Sequence, residues 1–355
     1  MSEFVKNAWY VVAYSTEVGE KPFARKIFSK QVVVFRKEDG APVVLDNRCP
    51  HKFAPLSRGE VVGNAIECPY HGLRYDPAGT CVHIPGQQRI PAAARVRSYP
   101  AVERYGLIWV WPGDPALANP TGILEFRYFN ETGWTAFHGP YLHFETNLAN
   151  ITDNLVDPAH TTFVHVKTIG GKDAADVPLT TEQDGDTITT GRWIENSNPV
   201  PVMQKFGRFQ GKVDRWQFYR FFVPNISLVD MGAIDAGSDR TEGNRDAHYR
   251  TFSYAALTPE SDRSTHYFWL VIRNFAIGDD TVSREMTVAY SATFEEDREL
   301  LREIQILQDE GEMRPLRLAI DAATTRLRRQ LDKRISAEVS HPAGAGAAGV
   351  LQVSI

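Results

Sequence analysis

Cys49-Pro50-His51 and, after sixteen intervening residues, Cys68-Pro69-Tyr70-His71 decide how this chain is read. Each stretch offers one sulfur ligand and one nitrogen ligand on a short loop. Two thiolates and two neutral imidazoles are the donor set of a [2Fe–2S] cluster with Cys₂ on one iron and His₂ on the other. Exchanging two thiolates for imidazoles removes negative charge and raises the reduction potential, so a carrier of single electrons is expected. The competing reading is a Cys₂His₂ zinc site. Zinc ligands usually come as like pairs, C-x₂₋₄-C and then H-x₃₋₅-H, whereas here each loop mixes the two. The mixed pairing favours the cluster.

Working outward, residues 1–115 read as short strands and turns. Val32-Val33-Val34-Phe35 and Val43-Val44-Leu45 flank the turn signal Glu38-Asp39-Gly40-Ala41-Pro42. Leu73-Arg74-Tyr75 leads into Asp76-Pro77-Ala78-Gly79, a second hairpin signal. The β-forming run from Tyr105 to Trp111 stops at Pro112-Gly113. All four candidate cluster ligands lie between strands, on loops that a rigid scaffold can hold. An all-β cluster domain over 1–115 is expected. Residues 114–122, rich in Pro, Asn and Gly, read as a linker.

The overall class expected is α+β, with a second domain over 116–340. Residues 148–165 look helical, and 216–223 and 265–272 are long β-rich runs. Residues 294–310 form an amphipathic helix and 316–335 a further one, while 341–355 is a small-residue tail expected to be flexible. At 355 residues the chain has room for two domains, and 43% hydrophobic content suits ordinary cores. A net charge of −5 gives no footing for a nucleic-acid or anionic-membrane partner. No apolar run approaches the eighteen residues of a membrane span. The N-terminus, Met1-Ser2-Glu3-Phe4-Val5-Lys6, lacks the basic-then-apolar order of a signal peptide, so a cytoplasmic location is expected. Of three cysteines, Cys81 is left over as a packed residue, which leaves no disulfide within the chain.

The second constellation is Asn154-Leu155-Val156-Asp157-Pro158-Ala159-His160 followed by His165. Two His with one carboxylate bind Fe(II) on one face and leave positions open for O₂ and substrate. Five residues of ideal helix separate two side chains by roughly 140°. Joint ligation therefore needs a distorted helix, or His165 past its end. On spacing alone, ordinary buried histidines remain an open reading; the cluster tips the balance, because an electron carrier implies a destination. The carboxylate candidate is Asp297, with Leu300, Leu301 and Ile304 on its side of the helix. Glu295, Glu296, Glu299, Arg302 and Glu303 are placed in solvent. A buried carboxylate must be paired or bind a metal; the alternative is an acidic residue near a helix start, favoured by the dipole.

Both motifs together, with Asn7-Ala8-Trp9-Tyr10, Asp153-Asn154-Leu155, Leu257-Thr258-Pro259-Glu260 and His266-Tyr267-Phe268-Trp269, resemble the oxygenase component of Rieske non-heme iron oxygenases. Within that family the chain is most similar to the vanillate and dicamba O-demethylase and toluenesulfonate methyl-monooxygenase group. The resemblance covers nearly the whole chain. It implies a Rieske β domain followed by a helix-grip catalytic domain with an antiparallel sheet, assembled as a homotrimer. It places Cys49 and Cys68 on one cluster iron, His51 and His71 on the other, and His160, His165 and Asp297 on the mononuclear Fe(II). Asp157 matches the carboxylate that joins a cluster His of a neighbouring subunit to an iron-ligating His, and Asn154 lies near the iron.

The implied activity is that of a terminal oxygenase in aromatic compound catabolism. A separate reductase, with or without a ferredoxin, passes electrons from NAD(P)H to the cluster. O₂ is then used to O-demethylate or hydroxylate a substituted aromatic. No strand-linked G-x-G-x-x-G marks a nicotinamide or flavin site on this chain, and Gly170-Gly171 is a turn signal. Members that bind aromatic carboxylates often carry a His two residues before the Leu-Thr-Pro, where this chain has Ala255. That departure points to another polar anchor or a less polar substrate, with His248, Tyr249 and Arg250 as weak anchor candidates. Two other readings stay open: a ring cis-dihydroxylase, and a pure electron carrier, which needs only the first 115 residues.

Overall fold

The computed structural model describes residues 4–240, 242–311 and 315–340. The chain divides into two compact units. One comprises Met1–Glu125 with Thr258–Asp262 and the chain from Ile335; the other comprises Phe126–Leu257 and Arg263–Arg334. A linear reading that divides the chain at 115 misses these two returns. One return is made by backbone hydrogen bonds, from Phe28 N–H to the Pro259 carbonyl at 2.8 Å and from Ser29 N–H to Glu260 at 2.7 Å. The tail expected at 341–355 lies outside the described residues.

The first unit is built from eleven strands: β1 Tyr10–Tyr14, β2 Phe23–Ile27, β3 Lys30–Arg36, β4 Pro42–Asp46, β5 Glu60–Val62, β6 Ala65–Glu67, β7 Arg74–Tyr75, β8 Cys81–His83, β9 Ser98–Tyr99, β10 Ala101–Arg104 and β11 Leu107–Val110. They form three sheets in the orders β1-β11-β10, β2-β3-β4-β9 and β5-β6-β7-β8. The centre of β3, Val32 to Phe35, is fully buried, so it reads as a continuous apolar run rather than an alternating one. Tyr105 and Gly106 both adopt positive φ, 59° and 69°. They close the two-residue hairpin between β10 and β11, whose twist needs that conformation. Cys49, Cys68 and Cys81 share one buried core with Val33, Leu45, Ile66 and Tyr75.

The second unit contains β12 Thr135–His138, β13 Leu142–Phe144, β14 Thr180–Asp184, β15 Thr187–Ser197, β16 Val213–Phe222, β17 Ile226–Asp235, β18 Tyr249–Pro259 and β19 Thr265–Arg273. Its sheet runs β12-β19-β18-β17-β16-β15-β14, with β13 also pairing β19. The pairings from β14 through β18, and those of β12 and β13 with β19, are antiparallel. Helices α1 Leu148–Leu155, α2 Thr161–Val164, α3 Pro201–Gly207 and α4 Asp280–Glu310 accompany it, and α5 Ala322–Ser340 starts here.

Three helix expectations change. Residues 148–165 are two helices, with a break from Val156 to His160. The helix expected at 294–310 begins fourteen residues earlier, at Asp280, because Asp279 caps it by accepting from the Thr281 and Val282 N–H groups. The helix expected at 316–335 runs Ala322–Ser340.

α4 grips the sheet through Met286, Tyr290, Thr293, Phe294, Asp297, Leu301 and Gln305, a stripe at three- and four-residue spacing. Phe294 packs its ring 5.2 Å from Tyr267 and 4.9 Å from Trp269. Burial of such a side chain contributes about 1.5–3 kcal/mol. Leu300, read from sequence as part of this face, is 39% exposed. Leu301, read onto the same face, is buried there.

Two candidate metal centres

The two Cys/His loops have the same build. Cys49 O accepts from Phe53 N–H at 2.8 Å, and Cys68 O accepts from Gly72 N–H at 3.0 Å. Both fourth residues take positive φ, Phe53 at 59° and Gly72 at 68°. At Gly72 a Cβ would also come within 2.9 Å of the Pro85 ring, so glycine is required there. Asn47 pins the first loop from below, accepting from Ser57 N–H at 2.7 Å and donating to Ser57 Oγ at 2.9 Å.

Cys49 and Cys68 are 1% and 2% exposed, while His51 and His71 face solvent with ring centroids 4.5 Å apart. The sulfurs are therefore inside and the nitrogens outside. Burial pushes the Cys68 thiol up, and the neighbouring Cys49 thiol adds to this, against the pull of the Tyr70 and His71 N–H groups. Two adjacent buried thiolates need a cation between them, which the iron of an iron–sulfur cluster would supply. Tyr75 OH sits 3.2 Å from Cys49 Sγ. Cys81 is buried, with its sulfur 3.4 Å from the His83 carbonyl.

In the second unit, α1 ends at Leu155 and the chain turns through Asp157-Pro158. Asp157 Oδ1 accepts from Ala159 N–H at 2.7 Å, and His160 stands at the N-cap of α2. His165 follows the end of α2, with φ −103° and ψ 31°. The break and the early stop together overcome the unfavourable five-residue spacing. The loop beyond is drawn tight by Gly170 N–H on the His165 carbonyl at 2.8 Å. A Cβ at Gly170 would lie 2.0 Å from the Thr161 carbonyl oxygen.

The ligand atoms of His160, His165 and Asp297 lie within 4.8 Å of one another. Asp297 Oδ1 is 3.7 Å from His160 Nε2 and 3.2 Å from His165 Nε2. The far ring nitrogens are engaged: His160 Nδ1 with the Asp157 carbonyl, and His165 Nδ1 with Glu296 Oε2 at 2.8 Å. A proton on each Nδ1 leaves both Nε2 lone pairs aimed at one point beside Asp297, as metal-binding imidazoles require. Asn154 Nδ2 donates to Asp297 Oδ1 at 2.9 Å. The Asp157 carboxylate is 3.8 Å from His160 Nδ1 and partly open to solvent. Within the chain, then, the Asp157 carbonyl is the closer partner of His160.

Glu296 is the residue that the sequence reading misplaced. The sequence places it in solvent as one of several acidic neighbours. Its carboxylate instead takes His165 Nδ1 and accepts from Thr168 Oγ1 at 3.2 Å. The weak anchor candidates also move. Arg250 is buried on Asp230, and His248 and Tyr249 line a different cavity.

The two imidazoles and Asp297 open on a tight cavity, about 30 Å³, walled largely by Leu155, Ile169, Tyr219, Val229, Met231, Ala255, Tyr267, Tyr290 and Phe294. Burial pushes the Tyr219 hydroxyl well above its ordinary range, with Asp297 and Asp157 adding to this, so it stays protonated.

Family models match the chain twice: the Rieske [2Fe-2S] domain over residues 8–100, and the vanillate O-demethylase oxygenase C-terminal domain over 144–337. A putative toluene-4-sulfonate monooxygenase system iron-sulfur subunit of Comamonas testosteroni is 37% identical, covering 94% of this chain and 98% of the relative. The vanillate O-demethylase oxygenase subunit of Pseudomonas sp. HR199 is 36% identical, covering 94% and 96%. Dicamba monooxygenase bound to 3,6-dichlorosalicylic acid superposes with a TM-score of 0.87 at 33% identity, covering 95% of this chain and 99% of that one. No helix among the described residues is long and apolar enough to cross a membrane. With both domains matched and identity sustained along nearly its full length, the chain belongs to the Rieske-type oxygenases that share the catalytic domain of the vanillate O-demethylase oxygenase subunit.

Proposed function

We propose that this chain is the terminal oxygenase of a multicomponent system, a cytoplasmic homotrimer fed by a separate NAD(P)H-dependent reductase or ferredoxin. It uses O₂ to O-demethylate or hydroxylate a substituted aromatic compound. The observation that carries the reading is the convergence of His160, His165 and Asp297 at the wall of an apolar cavity, in a chain that also bears the two Cys/His loops.

In this reading residues 1–115 are the cluster domain. Cys49 and Cys68 hold the inner iron, and His51 and His71 the outer. Residues 116–340 are the catalytic domain, and His160, His165 and Asp297 hold the mononuclear iron. A bound Fe(II) supplies activation of O₂ at positions left open by the three ligands. The Asp157 carbonyl and Glu296 keep each proton on Nδ1 and fix the ring planes. Asn154 steadies the Asp297 carboxylate. The cavity of about 30 Å³ has room for about one water, so an aromatic ring reaches the metal-facing end only when the aromatic and aliphatic walls part.

The test is a screen of iron-replete protein with a surrogate reductase, following O₂ uptake, formaldehyde and product mass. Formaldehyde equal to O₂ consumed establishes demethylation. A gain of one oxygen without formaldehyde establishes hydroxylation. A gain of two oxygens and two hydrogens replaces this reading with a dihydroxylase, and no uptake with any aromatic refutes it.

A further inference from the structure

The charge balance around the cavity bears on which substrates it can take. Among the described residues lining it there is no lysine or arginine. The buried guanidinium of Arg192 is spent elsewhere, on the carbonyls of Ala174, Val177 and Pro158 and on Thr162 Oγ1. Three carboxylates, Asp157, Glu296 and Asp297, surround the two imidazoles and more than offset a dication held there. An anionic headgroup entering such a site would be desolvated with no counter-charge to meet it, which is strongly unfavourable.

The polar atoms that remain are neutral. Most lining hydroxyls are already committed: Tyr290 to Thr251 at 3.2 Å, Thr161 to the Pro158 carbonyl at 2.8 Å, and Thr293 to the Ala289 carbonyl at 3.1 Å. Tyr219 on β16 and Ser253 on β18 are different. Both line the cavity and are 3% and 6% exposed, and neither side chain has a hydrogen-bond partner among the described residues. Two residues along β18 from Ser253, Ala255 presents only a methyl group.

We infer that the cavity, once its walls part from the tight arrangement seen here, takes an uncharged aromatic substrate whose polar group is received by the Tyr219 and Ser253 hydroxyls, and that it discriminates against aromatic carboxylates and sulfonates. This rests on the cavity being the substrate site of the oxygenase. Neutral hydroxyls can donate to an ether, amide or carbonyl oxygen, and they give an anion far less than a guanidinium or imidazolium would.

The test is calorimetric binding of matched pairs to the iron-loaded protein at neutral pH: 4-methoxybenzamide against 4-methoxybenzoate, and toluene-4-sulfonamide against toluene-4-sulfonate. The neutral member is expected to bind at least about tenfold tighter. Equal or tighter binding of the anion overturns the inference, as does failure of both neutral probes to bind. Tyr219→Phe and Ser253→Ala are each expected to weaken 4-methoxybenzamide roughly three- to tenfold, leave methoxybenzene binding unchanged, and keep iron content and the cluster spectrum. Wild-type binding of the amide by both variants also overturns it. O₂ uptake is read separately. A bound neutral probe that is never oxidised counts against the oxygenase reading, and with it against the probe being a substrate, while the preference of the cavity for neutral ligands stands. Turnover that favours the anions does the reverse.

Discussion

Tyr75 places its hydroxyl 3.2 Å from the Cys49 sulfur, and against a ligated thiolate the phenol is the donor. Such a bond favours the reduced cluster, which carries more negative charge, and so raises the potential. Tyr75→Phe is expected to lower the midpoint potential by roughly 20–65 mV, the one-electron equivalent of a net hydrogen bond of about 0.5–1.5 kcal/mol. A redox titration followed by EPR checks this, and an unchanged potential contradicts it. Glu296 plays the matching part at the other centre, by fixing the His165 ring. Glu296→Ala is expected to weaken iron binding at the mononuclear site about 10–100-fold and to leave the cluster untouched, as measured by competitive chelation. The two Cys/His loops stood out in the sequence as candidate cluster ligands because their spacing is local and their donor types are rare together. Asp297 was legible from its place on an apolar helix face. Glu296 was not: its partner lies 131 residues away, and nothing local separates it from Glu295 or Glu299.

At the scale of the element, the sheet of the second unit is held from within by Asp230 on β17. This fully buried carboxylate meets Arg245 at 3.0 Å, Trp216 Nε1 at 2.8 Å, and Arg250 on the adjacent strand. Burial works to raise its pKa, but Arg250 and then Arg245 and Trp216 hold it below the ordinary carboxylate range. Its folded-state pKa thus lies below the unfolded one. The stability it contributes is present above the unfolded value, about 3.9, and is lost as pH falls through the folded value. Asp230→Asn strands two buried guanidinium groups and is expected to cost roughly 3–5 kcal/mol at neutral pH. The gap from wild type should narrow in strong acid. Denaturant unfolding at several pH values checks both, and a gap that widens on acidification contradicts the assignment. Strand runs such as β16 and β19 were legible, being long and rich in aromatic and branched residues. The break between α1 and α2 was less so, although Pro158 signalled it. The early start of α4 had a cap in Asp279, but its first turns, Asp280 to Glu285, are polar and carry no apolar stripe.

At the scale of the whole molecule, the two returns of the chain to the first unit were not legible as domain boundaries: backbone hydrogen bonds make one of them, and Leu257-Thr258-Pro259-Glu260, which lies there, signals the family and not the return. The family resemblance assigns Asp157 to a contact between neighbouring subunits, and its carboxylate is partly open to solvent. Asp157→Ala is therefore expected to keep both metals and lose nearly all coupled turnover, read as product formed per electron delivered. Near-normal coupling would refute that role. The central claim is that one chain carries a two-iron carrier and a separate one-iron reaction site. The direct measurement is iron and acid-labile sulfide per chain in the reconstituted wild type and in Asp297→Ala. The account predicts about three irons and two sulfides in the wild type, the [2Fe–2S] complement plus one ion. The variant should lose one iron and keep its cluster absorption. Two irons in the wild type, or an iron content unaltered by Asp297→Ala, would contradict it.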